Sequence, residues 1–181
     1  MVASRVAVRE LQKPLRERYQ KDPASAQITL RVGCGDADLA DPLHCEVRPG
    51  AQSDVVWRAG AHPAVGGSGD APCSGDLLLA ALAACQETTI RMVAASMGIE
   101  LEKLDIHVEG DWDARGTLAF TGAPIGLKAI RCSTKVTIHG DERGERADRL
   151  LRSAEKYCVV LDTLRHGVPV ESTFELTATP R

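Results

Sequence analysis

The chain has 181 residues and a net charge of -3, and 44% of its residues are hydrophobic while only 3% are aromatic. These values are typical of one globular domain with an aliphatic core, and they exclude wholesale disorder. No basic stripe with interleaved aromatic residues is present, which argues against a nucleic-acid partner. The longest uncharged apolar run, residues 77–85, is far shorter than the roughly twenty residues of a membrane span. No signal-peptide pattern is found at the N-terminus, so we expect a cytoplasmic protein with no membrane partner.

The first element is an amphipathic segment over residues 3–19, which predicts a helix with a kink or restart at Pro14. The Asp-Pro step at residues 22–23 predicts its end. We therefore expect an N-terminal helical extension, residues 1–24, followed by a main domain, residues 25–181.

Three stretches with period-two alternation come next and predict an antiparallel meander: residues 27–33, 43–48 and 53–58. A loop rich in glycine and proline, residues 59–75, leads into the most apolar segment, residues 76–97. That segment predicts a long helix whose first three turns are buried on all sides. Ser74 is its predicted N-cap, and Gly98 its C-terminal stop.

The second half of the chain predicts strands, a helix and a final strand. The strand predictions are LDIHVEGDW and GTLAF within residues 101–120, then residues 127–139 and residues 168–177, and the helix prediction is residues 145–165. Each half is therefore a group of strands with a helix that covers them. This order predicts an α+β fold with an antiparallel sheet.

Six cysteines are scattered along the chain, too few for a disulfide framework. Cys85 lies about three turns into the long apolar helix, and Cys158 lies on the inner face of the second helix. Both fit the pattern of buried core thiols. Both also fit a redox pair, which requires the two Cα atoms to approach within about 6 Å.

The other cysteines give weaker signals. Cys34, His44 and Cys45 match no zinc spacing and have no evident fourth ligand, so no metal or cofactor is predicted. Cys132 lies on the inward face of its strand and is predicted to be core. Cys73 lies in the loop before the long helix, where it is either reactive or incidental.

Two segments carry a family resemblance. The run SGDLLLAALAACQETTIRMVAASMGI resembles the central helix of the OsmC/Ohr family, and EKYCVVLDTLRHGVPVESTFEL resembles its second cysteine region. The likeness extends over about residues 27–177. It implies an OsmC-like fold, with antiparallel sheets wrapped around two long central helices, in an intertwined homodimer with sites at the subunit interface.

The resemblance also implies a chemistry. Cys85 would be the peroxidatic thiolate that attacks an organic hydroperoxide or hydrogen peroxide and becomes a sulfenic acid. Cys158 would resolve that acid as a disulfide, and a dithiol reductant would restore both thiols.

The chain departs from the family pattern around the first cysteine. Organic-hydroperoxide members carry a glutamate ten residues before it, where this chain has Gly75. Other OsmC-like members keep an acid nine residues before it, and Asp76 is the corresponding residue here. The activating arginine comes from an early strand or its turn in the family, which makes Arg31 the first candidate, followed by Arg48 and Arg58.

A second departure is the pair Gln86 and Glu87, which follows the first cysteine where apolar or small residues are common. Three functions are therefore left open. The chain is a thiol peroxidase, a non-enzymatic OsmC-fold protein that binds a hydrophobic small molecule in the dimer-interface pocket, or a structural protein whose cysteines are all core residues.

Overall fold

The computed structural model describes residues 6–35, 37–50, 54–140 and 144–178. It has the predicted α+β architecture, with two antiparallel sheets. Its helices are α1 (Val8–Lys21), α2 (Ser74–Met97), α3 (Ala114–Thr117), α4 (Glu145–Tyr157) and α5 (Val159–His166), and its strands are β1 (Val32–Cys34), β2 (His44–Pro49), β3 (Trp57–Gly60), β4 (Leu101–Asp111) and β5 (Ala129–Ile138).

The N-terminal part contains α1 and the meander. Helix α1 ends at Lys21, as the Asp-Pro step predicts, but it runs through Pro14 without a restart. Strands β1, β2 and β3 form the predicted antiparallel meander. Strand β1 is shorter than predicted, and the exposed side chains of Ile28 and Leu30 precede it.

Helix α2 begins at Ser74, one residue earlier than the predicted N-cap at Ser74 implies. Cys73 occupies the N-cap position, and the Asp76 carboxylate accepts a hydrogen bond from the Cys73 backbone N–H at 2.8 Å. Ser74 is therefore the first helical residue and not the cap. At the other end Gly98 stops the helix with a left-handed backbone (φ 65°), as predicted.

The predicted burial of the first half of α2 on all sides is wrong for the single chain of the structure. Only one stripe of the helix is buried, and it consists of Leu82, Gln86, Ile90 and Ala94. The elements β4, α4, α5 and α1 contact α2. The opposite side remains open and apolar.

By length and composition alone, α2 also qualifies as a membrane-spanning helix. The core helix of a globular domain has the same properties when it is covered on several sides. Here α2 packs against β4 and α4, and Ile90 and Ala94 of its buried stripe belong to the main hydrophobic core. The fold therefore accounts for the apolar character of this stripe.

Strands β4 and β5 form a long antiparallel pair in which Leu104 lies opposite Val136 and Ile106 opposite Thr134. One face of this pair packs under α2 and α4. The buried residues of this core are all aliphatic: Ile90, Ala94, Ile99, Ile138, Leu150 and Ala154. This is the expected result for a chain with so few aromatic residues.

The GTLAF strand prediction is wrong. Asp113 accepts a hydrogen bond from the Arg115 backbone N–H at 3.2 Å and starts the short helix α3. Gly116 then packs so closely that a Cβ would lie 2.1 Å from the Pro124 carbonyl oxygen. A local cap and a close backbone contact therefore override the strand propensity of this run.

The final strand prediction, residues 168–177, is also wrong for the single chain of the structure. The segment has no regular secondary structure, and Phe174 and Leu176 are each 94% exposed. A strand requires a neighbouring strand for its backbone hydrogen bonds, and no described part of the same chain is paired with this segment.

Candidate functional site

The structure brings Cys85 and Cys158 together. Their Sγ atoms lie 3.1 Å apart, with the Cys158 thiol donating a hydrogen bond to the Cys85 sulfur. Cys158 is fully buried, whereas Cys85 is half-buried. The two thiols therefore share one site within a single chain.

The position of Cys158 depends on a break in the predicted helix over residues 145–165. Cys158 has an extended backbone (φ -80°, ψ 104°), so that it both ends α4 and precedes α5. Two β-branched residues, Val159 and Val160, follow it, and such residues lower helix propensity slightly. The break turns the Cys158 side chain toward α2, where Cys85 lies.

The electrostatics of the pair distinguish the two sulfurs. Burial, and then the hydrogen bond to Cys85, raise the pKa of Cys158 to about 11. The backbone N–H groups of Leu161 and Val160 act in the opposite direction but do not offset burial. Cys158 therefore keeps its proton at neutral pH, and a thiolate formed at Cys85 would receive its hydrogen bond.

A groove of about 530 Å³ lies between α2, β5, α4 and α5, and its described lining includes Leu82 and Gln86 of α2 but neither cysteine of the pair. Its polar lining includes Gln86, Cys132 and the ion pair between Glu155 and Arg165, whose Oε1 and Nη2 atoms lie 2.5 Å apart. Its apolar lining is made mainly by Leu82, Ile90, Ile130, Leu151, Leu161 and Leu164. The groove has the volume of a small-molecule site, and Lys128 and Thr134 add to its polar lining.

The predicted active-site acid, Asp76, does not lie next to the two thiols. Asp76 lies nine residues before Cys85 on the same helix, which is a separation of about 13 Å along the axis. Its carboxylate is engaged with the Cys73 backbone. In the protomer Asp76 therefore acts as a helix-capping residue.

The predicted arginines also lie elsewhere in the protomer. Arg31 precedes β1, where its carbonyl accepts a hydrogen bond from the Gly50 N–H at 3.2 Å. The described partners of the other two lie in the meander and its loops: Arg48 with Gly35 and Glu46, and Arg58 with Asp70. None of these described contacts involves Cys85 or Cys158.

The remaining cysteines lie outside the pair. Cys132 was predicted to be core, but it is exposed because the groove leaves this part of β5 uncovered. Cys73 is half-buried at the start of α2, and Cys34 and Cys45 are exposed on β1 and β2.

His44 is held between two carboxylates, an arrangement that no sequence pattern predicts. Its Nδ1 lies 2.7 Å from Asp41 Oδ2, and its Nε2 lies 2.9 Å from Asp70 Oδ1. Asp70 also pairs with Arg58 and accepts from Ser68. Because both ring nitrogens face carboxylates, both are donors, and the hydrogen bonds to Asp70 and Asp41 raise the pKa of His44. This cluster ties the start of β2 to the loop that leads into α2.

His44 should make the stability of the protein depend on pH. Because the pKa of His44 is higher in the folded than in the unfolded protein, protonated His44 stabilises the fold. This contribution is complete at pH values below the unfolded-state pKa of 6.5, and it is lost as the pH rises through the folded-state pKa. Between pH about 6 and about 9, the melting temperature of the wild type should fall more than that of His44→Gln. The exposed His107 supplies the control, His107→Gln, which should follow the wild type. Parallel curves for the wild type and His44→Gln would contradict the assignment.

Comparison with known proteins places this geometry in a family. The family model described as OsmC-like protein matches residues 67–173, which include both cysteines. No curated protein matches the chain.

Several solved structures share the fold. An OsmC-like protein from Mycoplasma pneumoniae aligns with a TM-score of 0.61 and 17% identity, over 78% of this chain and 90% of its own. An organic hydroperoxide resistance protein OsmC from Legionella pneumophila aligns with a TM-score of 0.58 and 20% identity, over 77% and 90%. An organic hydroperoxide resistance protein from Elizabethkingia anophelis aligns with a TM-score of 0.58 and 14% identity, over 78% and 91%. At these identities the alignments establish the fold.

Proposed function

Because the chain belongs to the OsmC-like protein family, we propose that it is a thiol peroxidase that reduces organic hydroperoxides or hydrogen peroxide. The observation that carries the proposal is the 3.1 Å separation of the Cys85 and Cys158 sulfurs. The names of two structural relatives, both organic hydroperoxide resistance proteins, support the same class of substrate.

The proposed reaction has two steps. The Cys85 thiolate attacks the O–O bond, so that an S–O bond forms, the O–O bond breaks, and the departing alkoxide takes up a proton to become an alcohol. The Cys158 sulfur then attacks the Cys85 sulfenic acid, which forms a disulfide and releases water. A disulfide bond is about 2.05 Å long, so the two sulfurs need to approach by only about 1 Å.

The environments of the two thiols support these roles. Cys85 is half-buried on α2, where the groove residues Leu82 and Gln86 precede and follow it in the sequence. Cys158 is sealed from solvent, and its raised pKa keeps it protonated. The accessible Cys85 sulfur therefore reacts with the peroxide, and the buried Cys158 sulfur reacts only after the sulfenic acid has formed. A dithiol reductant closes the cycle by exchange, which suits the cytoplasmic location expected from the sequence.

The working form in this proposal is a homodimer. The accessible surface of the chain is 14131 Å², whereas a compact monomer of its mass exposes about 8,500 Å². The exposed apolar side chains include Leu78 and Met92 on α2 and Val168, Val170, Phe174 and Leu176 in the final segment. A second copy would cover the open side of α2 with the same apolar surface and would give the final segment a strand to pair with.

The groove favours one other candidate function, the binding of a hydrophobic small molecule without chemistry. In that case ligand-dependent thermal stabilisation should persist when both thiols are removed by Cys85→Ser and Cys158→Ser. The unmodified protein would then bind the ligand and lose no thiols to peroxide.

The peroxidase proposal is tested by treating the reduced protein with cumene hydroperoxide. We expect the loss of two thiols per chain, the release of cumyl alcohol, and a Cys85–Cys158 disulfide that peptide mass spectrometry identifies. A protein that loses no thiols to cumene or tert-butyl hydroperoxide would overturn the proposal.

A further inference from the structure

The break at Cys158 is spanned by an ion pair between the two helices that it separates. Glu155 lies in the last turn of α4, three residues before Cys158, and Arg165 lies in the last turn of α5, seven residues after it. The Arg165 Nη2 atom lies 2.5 Å from Glu155 Oε1. The pair therefore joins α4 to α5 on the side of the groove that both residues line.

This ion pair constrains the angle between α4 and α5. The extended backbone of Cys158 interrupts the helix, so no continuous run of helical hydrogen bonds fixes that angle. Glu155 is about 4.5 Å and Arg165 about 10 Å from Cys158 along their helices, and each helix keeps its own length. A contact between Glu155 and Arg165 closes a triangle whose third corner is Cys158, and the angle at that corner is then set.

The angle matters because the Cys158 sulfur has to reach Cys85. The two sulfurs are 3.1 Å apart, and a disulfide requires about 2.05 Å. A change in the angle between the helices moves the Cys158 side chain relative to α2, which carries Cys85. Both helices also pack against α2. The ion pair therefore adjusts the position of one sulfur within a frame that folds without the pair.

We propose that Glu155 and Arg165 are positioning residues for the disulfide-forming step: their ion pair holds the Cys158 sulfur within reach of Cys85. The inference rests on the proposed peroxidase function and adds two residues to its second step. Neither residue takes part in the attack of Cys85 on the peroxide, so the pair leaves the first step unchanged.

The test separates the two steps without peroxide, by using bis(2-hydroxyethyl) disulfide, a small neutral oxidant. The Cys85 thiolate attacks this disulfide and releases one 2-mercaptoethanol, which leaves a mixed disulfide on Cys85. The Cys158 sulfur then attacks the Cys85 sulfur, its proton passes to solvent, and a second 2-mercaptoethanol leaves as the Cys85–Cys158 disulfide forms. Acid quenching and mass spectrometry follow the mixed disulfide and its disappearance.

The variants are Glu155→Gln, Arg165→Gln and the two combined. The paired side chains are 49% and 55% exposed, so their contribution is modest, and we expect each variant to slow the second step about threefold. The first step should keep the wild-type rate. The combined variant should lose no more than either single variant, because all three remove the same contact.

Two further variants complete the test. Arg165→Lys keeps a cation opposite Glu155 and should recover most of the rate. Asp148→Asn removes another exposed ion pair, with Arg152, that lies within α4 and does not cross the break, so both of its steps should match the wild type.

An unchanged second step in Glu155→Gln would overturn the inference. So would losses that add in the combined variant, or an equal slowing of both steps. If the expected rates are found in a protein that loses no thiols to cumene hydroperoxide, the positioning role stands and the peroxidase proposal fails. Peroxide turnover with a second step that is insensitive to both substitutions would remove the positioning role and leave the peroxidase.

Discussion

Cys85→Ser should abolish the consumption of organic hydroperoxide, by at least about a thousandfold, because it removes the nucleophile that opens the covalent route. Cys158→Ser should behave differently. Its Cys85 still reacts, but the sulfenic acid has no partner at 3.1 Å, so one peroxide is consumed per chain and turnover then stops. Stopped-flow measurement of peroxide loss, with mass spectrometry of the products, distinguishes the two variants. Cys158→Ser should accumulate sulfenic acid and then over-oxidised Cys85.

The chain provides matched controls for both substitutions. Cys34→Ser and Cys45→Ser change exposed thiols on β1 and β2. Neither sulfur takes part in the pair, so both variants should turn over at close to the wild-type rate. Full activity of Cys85→Ser would contradict the assigned role, and so would multiple turnovers of Cys158→Ser with the same reductant.

The sequence predicted the elements of this site better than its supporting residues. Helical periodicity and the Gly98 stop located α2, and with it Cys85, because these signals are local. The break at Cys158 was missed by periodicity, since the apolar spacing of residues 145–165 continues through it. The approach of the two sulfurs depends on that break and on the packing of α5 against α2. Such contacts lie 73 residues apart in the sequence and leave no local pattern.

The supporting residues were harder to predict, for a physical reason. Asp76 has the sequence position of an active-site acid, yet its carboxylate caps the helix, and the same acidic residue serves either role at a helix start. Gln86 stood out in the sequence only as a departure from the family. Its burial in the groove depends on β5, α4 and α5 together. The two mistaken strand predictions have different causes. A local helix cap explains the error in GTLAF, whereas residues 168–177 lack a neighbouring strand to pair with.

The second large expected effect is the loss of dimerisation when charges are placed on the open side of α2. Leu78 and Met92 lie two turns before and two turns after Cys85 on this side, and each is 41% exposed in the protomer. If a second copy covers them, Leu78→Asp combined with Met92→Asp would bury two unpaired charges in the interface. Each such charge costs several kcal/mol, so dimerisation should weaken by at least about a thousandfold. Light scattering after size-exclusion chromatography should then give the mass of a monomer, where the wild type gives that of a dimer.

The control for this experiment is Gln20→Asp, which adds a negative charge at an exposed position of α1, and it should remain dimeric. A monomeric wild type would contradict the proposed interface. The same conclusion would follow if the variant that combines Leu78→Asp with Met92→Asp remained a dimer.

The monomeric variant also separates disulfide formation from peroxide activation. Because both thiols belong to one chain, it should still form the Cys85–Cys158 disulfide with a strong oxidant such as diamide. Arg58 pairs with Asp70, and the described contact of Arg31 is made by its carbonyl oxygen, so we propose that a second copy supplies the guanidinium that activates Cys85. We therefore expect the monomer to lose its reactivity toward cumene hydroperoxide while it keeps the capacity to form the disulfide. A monomer that reacts with hydroperoxide at the wild-type rate would instead place the activating group within the same chain.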